Sequence, residues 1–275
     1  VSEYAVVNTS VEIAKKYQFH KLVNAVLRNV CRQKKQLLNE FCNLSNLPVW
    51  ILEDLKKNLT STEINEVSRV IIKEPELNLK IKKSHVKLKD WELIMNGKFI
   101  ESDVLLTNNS GKINEFPFFD NGYWWVQGLS SCLPVKCLDN LFPILKRKEI
   151  KILDVCAAPG GKTAQLADYG FRSLSVDISE YRIKQLKTNL DRLNYKSEII
   201  CTDFLNYDSD QKFDAILLDA PCSASGLIQK KPEILIANKQ IDLKKLVIEQ
   251  RRLLEHSKKF IKKGGYIIYC VCSIN

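Results

Sequence analysis

The chain has 275 residues, of which 45% are hydrophobic, and its 42 basic and 32 acidic residues give a formal net charge of +10. This length and composition predict a packed globular protein and exclude a disordered or fibrous chain. No uninterrupted apolar run of about 18 residues exists, and the N-terminus has no basic segment followed by an apolar one. We therefore expect neither a membrane span nor a secretory signal, and we assign the protein to the cytoplasm.

The first part of the chain has the pattern of helices. From Val1 to about Leu44, apolar residues recur at helical spacing. Pro48 then ends the helical region, because a proline disfavours helical backbone at the residue before it. We predict a helical segment over 1–45.

The middle of the chain, 46–145, mixes short strand-like runs such as "LNLKIKK" and "DVLLT" with turn signals. The turn signals lie at Asn96-Gly97, at 108–111 and at 120–122. We predict a linker and a small α+β domain here.

The densest basic cluster of the sequence lies in this segment. It comprises Lys80, Lys82, Lys83, Lys87 and Lys89. A solvated face is the commoner role of such a cluster, and a patch that contacts phosphates is the alternative.

From Lys148 onward, strand and helix patterns alternate regularly. The predicted strands are 150–155, 172–176, 197–201, 213–219 and 265–271, and the predicted helices are 163–169, 179–193 and 239–262. This alternation specifies a parallel sheet with right-handed crossovers. The last strand ends beside Asn275, and the first helix begins at once without a starting methionine, so we expect a chain truncated at both ends.

The stretch "DVCAAPGGKTAQL" (154–166) ends like an ATP-binding phosphate loop. That loop needs a first glycine five residues before Gly161, and Cys156 stands there. A cysteine carries a Cβ and does not easily reach a positive φ, which argues against a phosphate-loop ATPase. The run is instead typical of a strand, a glycine-rich turn and a helix that binds a ligand at the carboxyl end of the strand.

Four aspartates close four successive predicted strands. They are Asp154, Asp177, Asp203 and Asp219. Each alone is explained by helix capping, but four together are not. An acidic rim repels pyrophosphate and suits a cationic nucleoside such as S-adenosylmethionine, so we predict that cofactor ahead of NAD.

Two cysteines follow the last two strands. In a doubly wound sheet those strands are neighbours, so Cys222 and Cys272 approach the same cleft. We interpret the other seven cysteines as small buried hydrophobes. They are Cys31, Cys42, Cys132, Cys137, Cys156, Cys201 and Cys270.

A thiol in this place indicates a particular reaction. Methylation of a pyrimidine C5 needs a nucleophile that first adds to C6, whereas methylation of an amine does not. Asp219 is placed to bind the N3 side of the ring as charge develops there.

Four motifs then match a known family. "DVCAAPGGKT", "VDIS", "LLDAPCSASG" and "GGYIIYCVCSIN" together resemble the RsmB/NOP class of RNA cytosine-5 methyltransferases. Upstream, "HKLVNAVLRNV" is similar to the end of the NusB-like RNA-binding domain of the bacterial RsmB-like (Sun) members. "GYWWVQGLSSCLP" is similar to the segment that enters their catalytic domain.

The resemblance implies an α/β fold with a doubly wound, mostly parallel sheet, the Rossmann-like fold of class I S-adenosylmethionine-dependent methyltransferases. This methyltransferase domain spans 146–275 and is incomplete at its C-terminus. A small α/β domain over 46–145 and a helical NusB-like remnant over 1–45 precede it.

The resemblance also implies residue roles. Cys272 is the nucleophile, and Cys222 assists breakdown of the covalent adduct and release of the product. Lys162 is expected at the cofactor and also near the target base. The implied cofactor-binding residues are Cys156, Ala157, Ala158, Pro159, Gly160, Gly161, Lys162, Asp177, Asp203 and Asp219.

The sequence departs from the family at Val271, where the family has threonine, and at Gly128, where an acid commonly stands. The NusB-like remnant favours 16S ribosomal RNA as the partner. A transfer RNA cytosine-5 methyltransferase and a non-catalytic RNA-binding or assembly factor remain the alternatives.

Overall fold

The computed structural model describes residues 2–41, 47–71, 73–142, 147–234 and 242–274. The chain divides into two compact units, Val1–Lys73 and Glu74–Asn275. The predicted division into three domains stays a prediction. In the structure, the small middle sheet and the large C-terminal sheet belong to the same compact unit.

The first unit is helical. Its elements are α1 (Glu3–Lys15), α2 (His20–Arg32), α3 (Lys34–Phe41), α4 (Val49–Leu55) and α5 (Ser61–Ile71). The start of α5 shows why its sequence begins a helix there. The Thr60 hydroxyl accepts from the Glu63 amide, and the Glu63 carboxylate accepts from the Thr60 amide at 2.7 Å, a reciprocal capping box.

The second unit begins with a small antiparallel sheet. Its strands are β1 (Leu77–Ile81), β2 (Gly97–Glu101), β3 (Val104–Thr107) and β4 (Trp124–Val126), and the short helix α6 (Trp91–Ile94) precedes β2. The described strands pair in the order β2–β3–β1–β4. The turn signals at Asn96 and Gly122 correspond to positive φ angles of 45° and 65°. The strands β2 and β4 are absent from the sequence prediction because β2 is mostly polar and β4 is only three residues long.

Neither interpretation of the lysine cluster holds for its first members. The side chain of Lys80 is fully buried and forms an ion pair with Asp103, while Tyr169 donates to that carboxylate at 3.2 Å. Lys82 is also buried, where its ammonium donates to the Leu193 carbonyl. A charge run misleads here because each ammonium finds its partner inside the unit. Lys83, Lys87 and Lys89 are exposed.

The large sheet is parallel and has the predicted alternation. Its strands are β5 (Lys151–Val155), β6 (Arg172–Asp177), β7 (Glu198–Cys201), β8 (Phe213–Asp219) and β9 (Ile261–Cys270), and its helices are α7 (Leu129–Leu141), α8 (Gly161–Asp168), α9 (Glu180–Arg192) and α10 (Leu243–Ser257). The described strands pair in the order β7–β6–β5–β8–β9. The doubly wound α/β fold is confirmed, and β8 and β9 are neighbours as predicted.

Both faces of this sheet are covered, which explains the nearly continuous apolar runs of its strands. Leu153 and Val155 of β5 face a core that Leu253 of α10 completes. Ile152 faces the opposite core with Val135 of α7. Successive side chains of β5 thus point to opposite faces, and the site is left to the strand ends.

Two predicted elements of the large sheet region have boundaries that differ from the structure by more than two residues. The helix predicted at 239–262 is described over Leu243–Ser257, and 239–241 lie outside the described residues. The last strand begins at Ile261 rather than at 265. The Gly264-Gly265 pair forms an irregularity within the strand, with φ +80° at Gly264, instead of the turn that would precede it. No described helix is both long and apolar enough to cross a membrane.

Candidate active site

The site lies at the carboxyl edge of the large sheet, where β5, β6, β8 and β9 end side by side. Parallel strands bring their carboxyl ends to one edge, and ligands of open α/β sheets bind there. A cleft of about 320 Å³ opens at this edge. The predicted site residues on its wall are Cys156, Asp177, Asp203, Asp219, Cys222 and Cys272.

The loop after β5 turns sharply between Cys156 and Gly161. Cys156 has φ +59°, contrary to the expectation that a cysteine would avoid this region. The surroundings impose it, because the Ala157 amide after it donates to the Val176 carbonyl of the neighbouring strand. Gly160 has φ +99°, and a Cβ there would lie 2.9 Å from Leu186 Cγ, so only glycine fits.

Helix α9 holds this loop from outside. The Arg182 guanidinium donates to the Ala158 carbonyl, and Asn189 Nδ2 donates to the Pro159 carbonyl at 3.1 Å. Asp177 joins them, since its carboxylate accepts from the Ala158 amide at 3.0 Å. The predicted cofactor residues from Ala157 to Gly161 therefore form the turn behind Cys156 and do not line the cleft with their side chains. Their contact with a cofactor stays a prediction.

Asp177 and Asp203 present carboxylates to the cleft from two strand ends. Asp177 Oδ1 accepts from the Ser179 amide at 3.0 Å, and Asp203 Oδ1 accepts from the Leu205 amide at 2.9 Å. These bonds fix the carboxylates, and each oxygen retains a further lone pair for a ligand.

Asp154, the first of the four predicted rim acids, is not on the rim. It is fully buried, and its Oδ2 accepts from the Thr163 hydroxyl at 2.7 Å. Burial raises the pKa of Asp154 to about 7. The side chain points into the face covered by α8 because it is one residue short of the strand end.

An ion pair lies at the end of β8. Lys162 Nζ donates to Asp219 Oδ2 at 2.6 Å. Burial acts to lower the pKa of Lys162, but the charge and the hydrogen bond of Asp219 outweigh it and leave that pKa raised. A second cavity of about 250 Å³ opens on this side, lined by Lys162, Asp219, Cys272 and the N-terminus of α7. Asp219 and Cys272 thus border both cavities.

The two predicted thiols meet. The Sγ atoms of Cys222 and Cys272 lie 3.2 Å apart, within reach of an S–H hydrogen bond. This bond is the main cause that lowers the pKa of Cys222 to about 6, and it raises the pKa of Cys272. The pair therefore carries one negative charge and one proton near neutral pH, and the proton has only this short gap to cross.

The neighbouring thiols behave differently. Burial raises the pKa of both Cys156 and Cys270 to about 12, so these two stay protonated. The interpretation of the remaining cysteines as buried hydrophobes fits Cys132 but is wrong for Cys137 and Cys201, which are exposed. Cys42 lies outside the described residues.

Sequence reasoning missed three parts of the site. It missed the apolar cleft wall, to which Ile178, Phe204 and Leu253 contribute. It missed the α9 side chains that hold the loop, and the serines that follow the two cysteines. Ile178 follows a strand-end acid directly, which was a usable signal, whereas Leu253 comes from a distant helix. Among the described residues, no group of three or more His, Cys, Asp or Glu is arranged to hold a metal ion.

Comparison with known proteins identifies the class and then the family. The model of the family described as 16S rRNA methyltransferase RsmB/F matches residues 143–275, and that of the NusB family matches residues 1–32. A curated relative from Shewanella oneidensis, ribosomal RNA small subunit methyltransferase B, is 32% identical over 289 residues. That match covers 100% of this chain and 66% of the relative. The chain thus spans about two thirds or less of the length of such relatives.

Solved structures share the fold. The protein PH0851 superposes with a TM-score of 0.75 at 23% identity, covering 95% of this chain and 62% of that one. NSun6 from Pyrococcus horikoshii, solved with SFG, gives a TM-score of 0.68 at 18% identity, covering 84% of this chain and 85% of that one. The sheet order and the strand-end cleft define a class I methyltransferase fold. Within that class, the chain belongs to the RsmB/F methyltransferase family.

Proposed function

We propose that this protein transfers a methyl group from S-adenosylmethionine to C5 of a cytosine in RNA, and that the RNA is 16S ribosomal RNA. The pairing of Cys222 with Cys272 carries the proposal, because a thiolate at the junction of two cavities is what pyrimidine C5 chemistry requires. The small-subunit ribosomal RNA named for the relative supports the choice of RNA.

The first cavity fits the cofactor. Its wall combines the carboxylates of Asp177, Asp203 and Asp219 with apolar side chains. Carboxylates at these strand ends suit ribose hydroxyls and a positive charge, and the apolar wall suits a purine ring. When bound, S-adenosylmethionine supplies an electrophilic methyl group.

The second cavity suits the target base, which must leave its stack to enter it. Asp219 accepts a hydrogen bond from the exocyclic amino group of a cytosine. Lys162 holds that carboxylate, and its positive charge stabilises negative charge that develops on the ring. Cys272 borders both cavities, so its sulfur lies beside the place proposed for the base as well as beside the cofactor cleft.

The thiols divide the chemistry. Cys272, having passed its proton to Cys222, adds as a thiolate to C6, and the C5–C6 double-bond electrons become available at C5. After C5 has gained its methyl group, a base takes the C5 proton, the double bond re-forms and the S–C6 bond breaks. Cys222 serves this second half by returning the proton to the departing Cys272 sulfur, 3.2 Å away, so that both thiols regain their starting state.

Covalent trapping tests this assignment. The parent, Cys222→Ala, Cys272→Ala and a control, Cys137→Ala, are incubated with S-adenosylmethionine and 16S ribosomal RNA or transfer RNA. Adducts that survive denaturation are then resolved on gels. We expect the adduct to accumulate in Cys222→Ala, to be absent in Cys272→Ala and to match the parent in Cys137→Ala, whose exposed thiol lies outside both cavities.

Methylated ribosomal RNA from Cys272→Ala at the parent's level would overturn the nucleophile assignment. Adduct with transfer RNA alone would move the substrate to transfer RNA. Absence of adduct in every variant, together with absence of cofactor binding in the parent, would favour the non-catalytic RNA-binding factor.

A further inference from the structure

Each of the two reactive cysteines is followed directly by a serine. Ser223 follows Cys222, Ser273 follows Cys272, and Ser225 lies two residues beyond Ser223. The three hydroxyls form a closed ring, which we call the serine ring. The Oγ atom of Ser223 lies 2.6 Å from that of Ser273 and 3.1 Å from that of Ser225, and Ser225 Oγ lies 3.1 Å from Ser273 Oγ.

The hydrogen bonds of the ring satisfy all three hydroxyl groups. With Ser223 donating to Ser225, Ser225 to Ser273 and Ser273 back to Ser223, each hydroxyl donates once and accepts once. Ser225 Oγ also accepts from the Ile274 amide at 3.0 Å. Ser223 and Ser225 are buried, so their bonds face little competition from water.

The backbone reinforces this connection. The Gly226 amide donates to the Cys272 carbonyl at 3.0 Å. A Cβ on Gly226 would lie 2.8 Å from that oxygen, so a side chain there would push the two segments apart. Ala224, the residue between Ser223 and Ser225, has a φ of +56°, and this backbone conformation forms a tight turn in the loop.

We propose that the serine ring positions the two reactive thiols, by fastening the loop after β8 to the segment after β9 so that Cys222 and Cys272 stay in hydrogen-bonding contact. The three serines touch no reacting atom in this scheme and are positioning residues. The catalytic consequence rests on the proposed function, but the positioning itself does not.

The ring can control the distance between the two thiols because Ser223 and Ser273 directly follow the two cysteines in the sequence. Without the ring, two irregular segments beyond the ends of their strands would keep the backbone bond from Gly226 to Cys272 and the weak contact of the thiols themselves, but would lose the hydroxyl bonds that join them. An S–H hydrogen bond is weak and depends on distance, so a small separation removes it. The thiolate would then lose its donor, and its pKa would return toward that of an ordinary cysteine, near 8.5.

The test measures thiol reactivity without RNA. The rate of iodoacetamide alkylation at Cys222 is followed against pH by peptide mass spectrometry in the parent, Ser225→Ala, Ser273→Ala and Ser273→Thr. The control is Ser257→Ala, which removes an equally buried hydroxyl of α10 that donates to the Leu253 carbonyl at 2.8 Å. The charged groups facing the thiols, Asp219, Glu249 and Arg182 on the cleft wall and Lys162 beside Asp219, are the same in every variant.

We expect both alanine variants to shift the alkylation midpoint upward by about one pH unit or more relative to the parent, and Ser273→Thr and Ser257→Ala to keep the parent's midpoint. Cofactor affinity should stay constant, because none of the serines lines the first cavity. A turnover rate that falls in Ser225→Ala, whose hydroxyl lines neither cavity, would further support the positioning role.

An unchanged midpoint in folded Ser225→Ala and Ser273→Ala would overturn the positioning role. Ser273 is only half buried, so its alanine variant remains informative where Ser225→Ala fails to fold. A shifted midpoint with no RNA adduct in Cys222→Ala would support the ring and contradict the proposed function. RNA adduct with an unshifted midpoint would do the reverse.

Discussion

Lys162 Nζ donates to Asp219 Oδ2 at 2.6 Å, at the point where the two cavities of the site meet. The lysine side chain is 16% exposed and the aspartate side chain 34%, so the pair is partly shielded from water. Asp219 is the last residue of β8, and a similar ion pair lies at the other end of that strand. Lys262 Nζ donates to Asp214 Oδ1 at 2.7 Å, away from both cavities.

These two ion pairs give a matched prediction. Lys162→Met should lower kcat/KM for RNA methylation by about a hundredfold, the typical loss when one group that stabilises developing charge is removed. Lys262→Met should leave kcat/KM near the parent's value. Single-turnover methylation of 16S ribosomal RNA measures both, and an equal effect of the two substitutions would show that Lys162 acts only through stability.

The 3.2 Å approach of Cys222 and Cys272 predicts easy oxidation. A disulfide needs the sulfurs at about 2.05 Å, so only a small movement is required. Diamide should take two electrons and two protons from the pair, and itself be reduced to the hydrazine form, giving a cross-linked peptide that dithiothreitol reverses. The lowered pKa of Cys222 supplies the attacking thiolate at neutral pH.

Peptide mass spectrometry detects this cross-link. Methylation activity should be lost as the cross-link forms and should recover when dithiothreitol reduces it. Cys137→Ala should cross-link as the parent does. If the Cys222–Cys272 pair of the parent reacted with diamide no faster than the exposed Cys201 does, this result would contradict the contact between the two sulfurs.

Gly160 offers a test of the loop that α9 holds. Gly160→Ala places a side chain at φ +99° and brings its Cβ to 2.9 Å from Leu186 Cγ. The loop should shift, and the affinity for S-adenosylmethionine should fall about tenfold, equivalent to about 1.4 kcal/mol. Calorimetric titration of the cofactor measures the loss.

Gly264→Ala is the control for backbone strain. Gly264 has φ +80° but nothing lies within 4 Å of a Cβ there. Its substitution should cost about 1 kcal/mol of stability and leave cofactor affinity unchanged. Equal losses of cofactor affinity in the two variants would mean that the contact with Leu186 does not position the loop.

The order of elements in the large sheet was predictable because it depends on local pattern. Apolar runs ended by aspartates, glycine turns and amphipathic helices all recur at the spacing of a doubly wound fold. The approach of Cys222 to Cys272 followed from the same logic, since neighbouring parallel strands end together. Their contact distance did not follow, because it depends on two loops and on the serine ring.

Side-chain burial was the part that sequence could not give. Lys80 and Lys82 belong to an apparently solvent-facing charge run, yet their partners, Asp103 and the Leu193 carbonyl, lie far along the chain. Asp154 fits a strand-end pattern but ends one residue inside the sheet. For the two lysines a long-range contact outweighs the local signal, and for Asp154 the position of the residue within the strand does so.

Asp154 also predicts a pH effect on stability. In the folded state burial raises its pKa to about 7, whereas in the unfolded chain the pKa is near 3.9. Between these values the folded protein keeps a proton that the unfolded chain has released. The contribution of Asp154 is therefore fully present below about pH 4 and is lost as the pH rises through about 7.

Asp154→Asn should remove this loss. The amide is neutral at every pH, and its oxygen still accepts from the Thr163 hydroxyl in place of Oδ2. Relative to the parent, the free energy of unfolding of Asp154→Asn should rise by about 1.4 kcal/mol for each pH unit crossed between about 4 and 7. Urea unfolding at pH 5 and pH 8 measures the difference. The same difference from the parent at both pH values would mean that the buried carboxyl is ionised throughout this range.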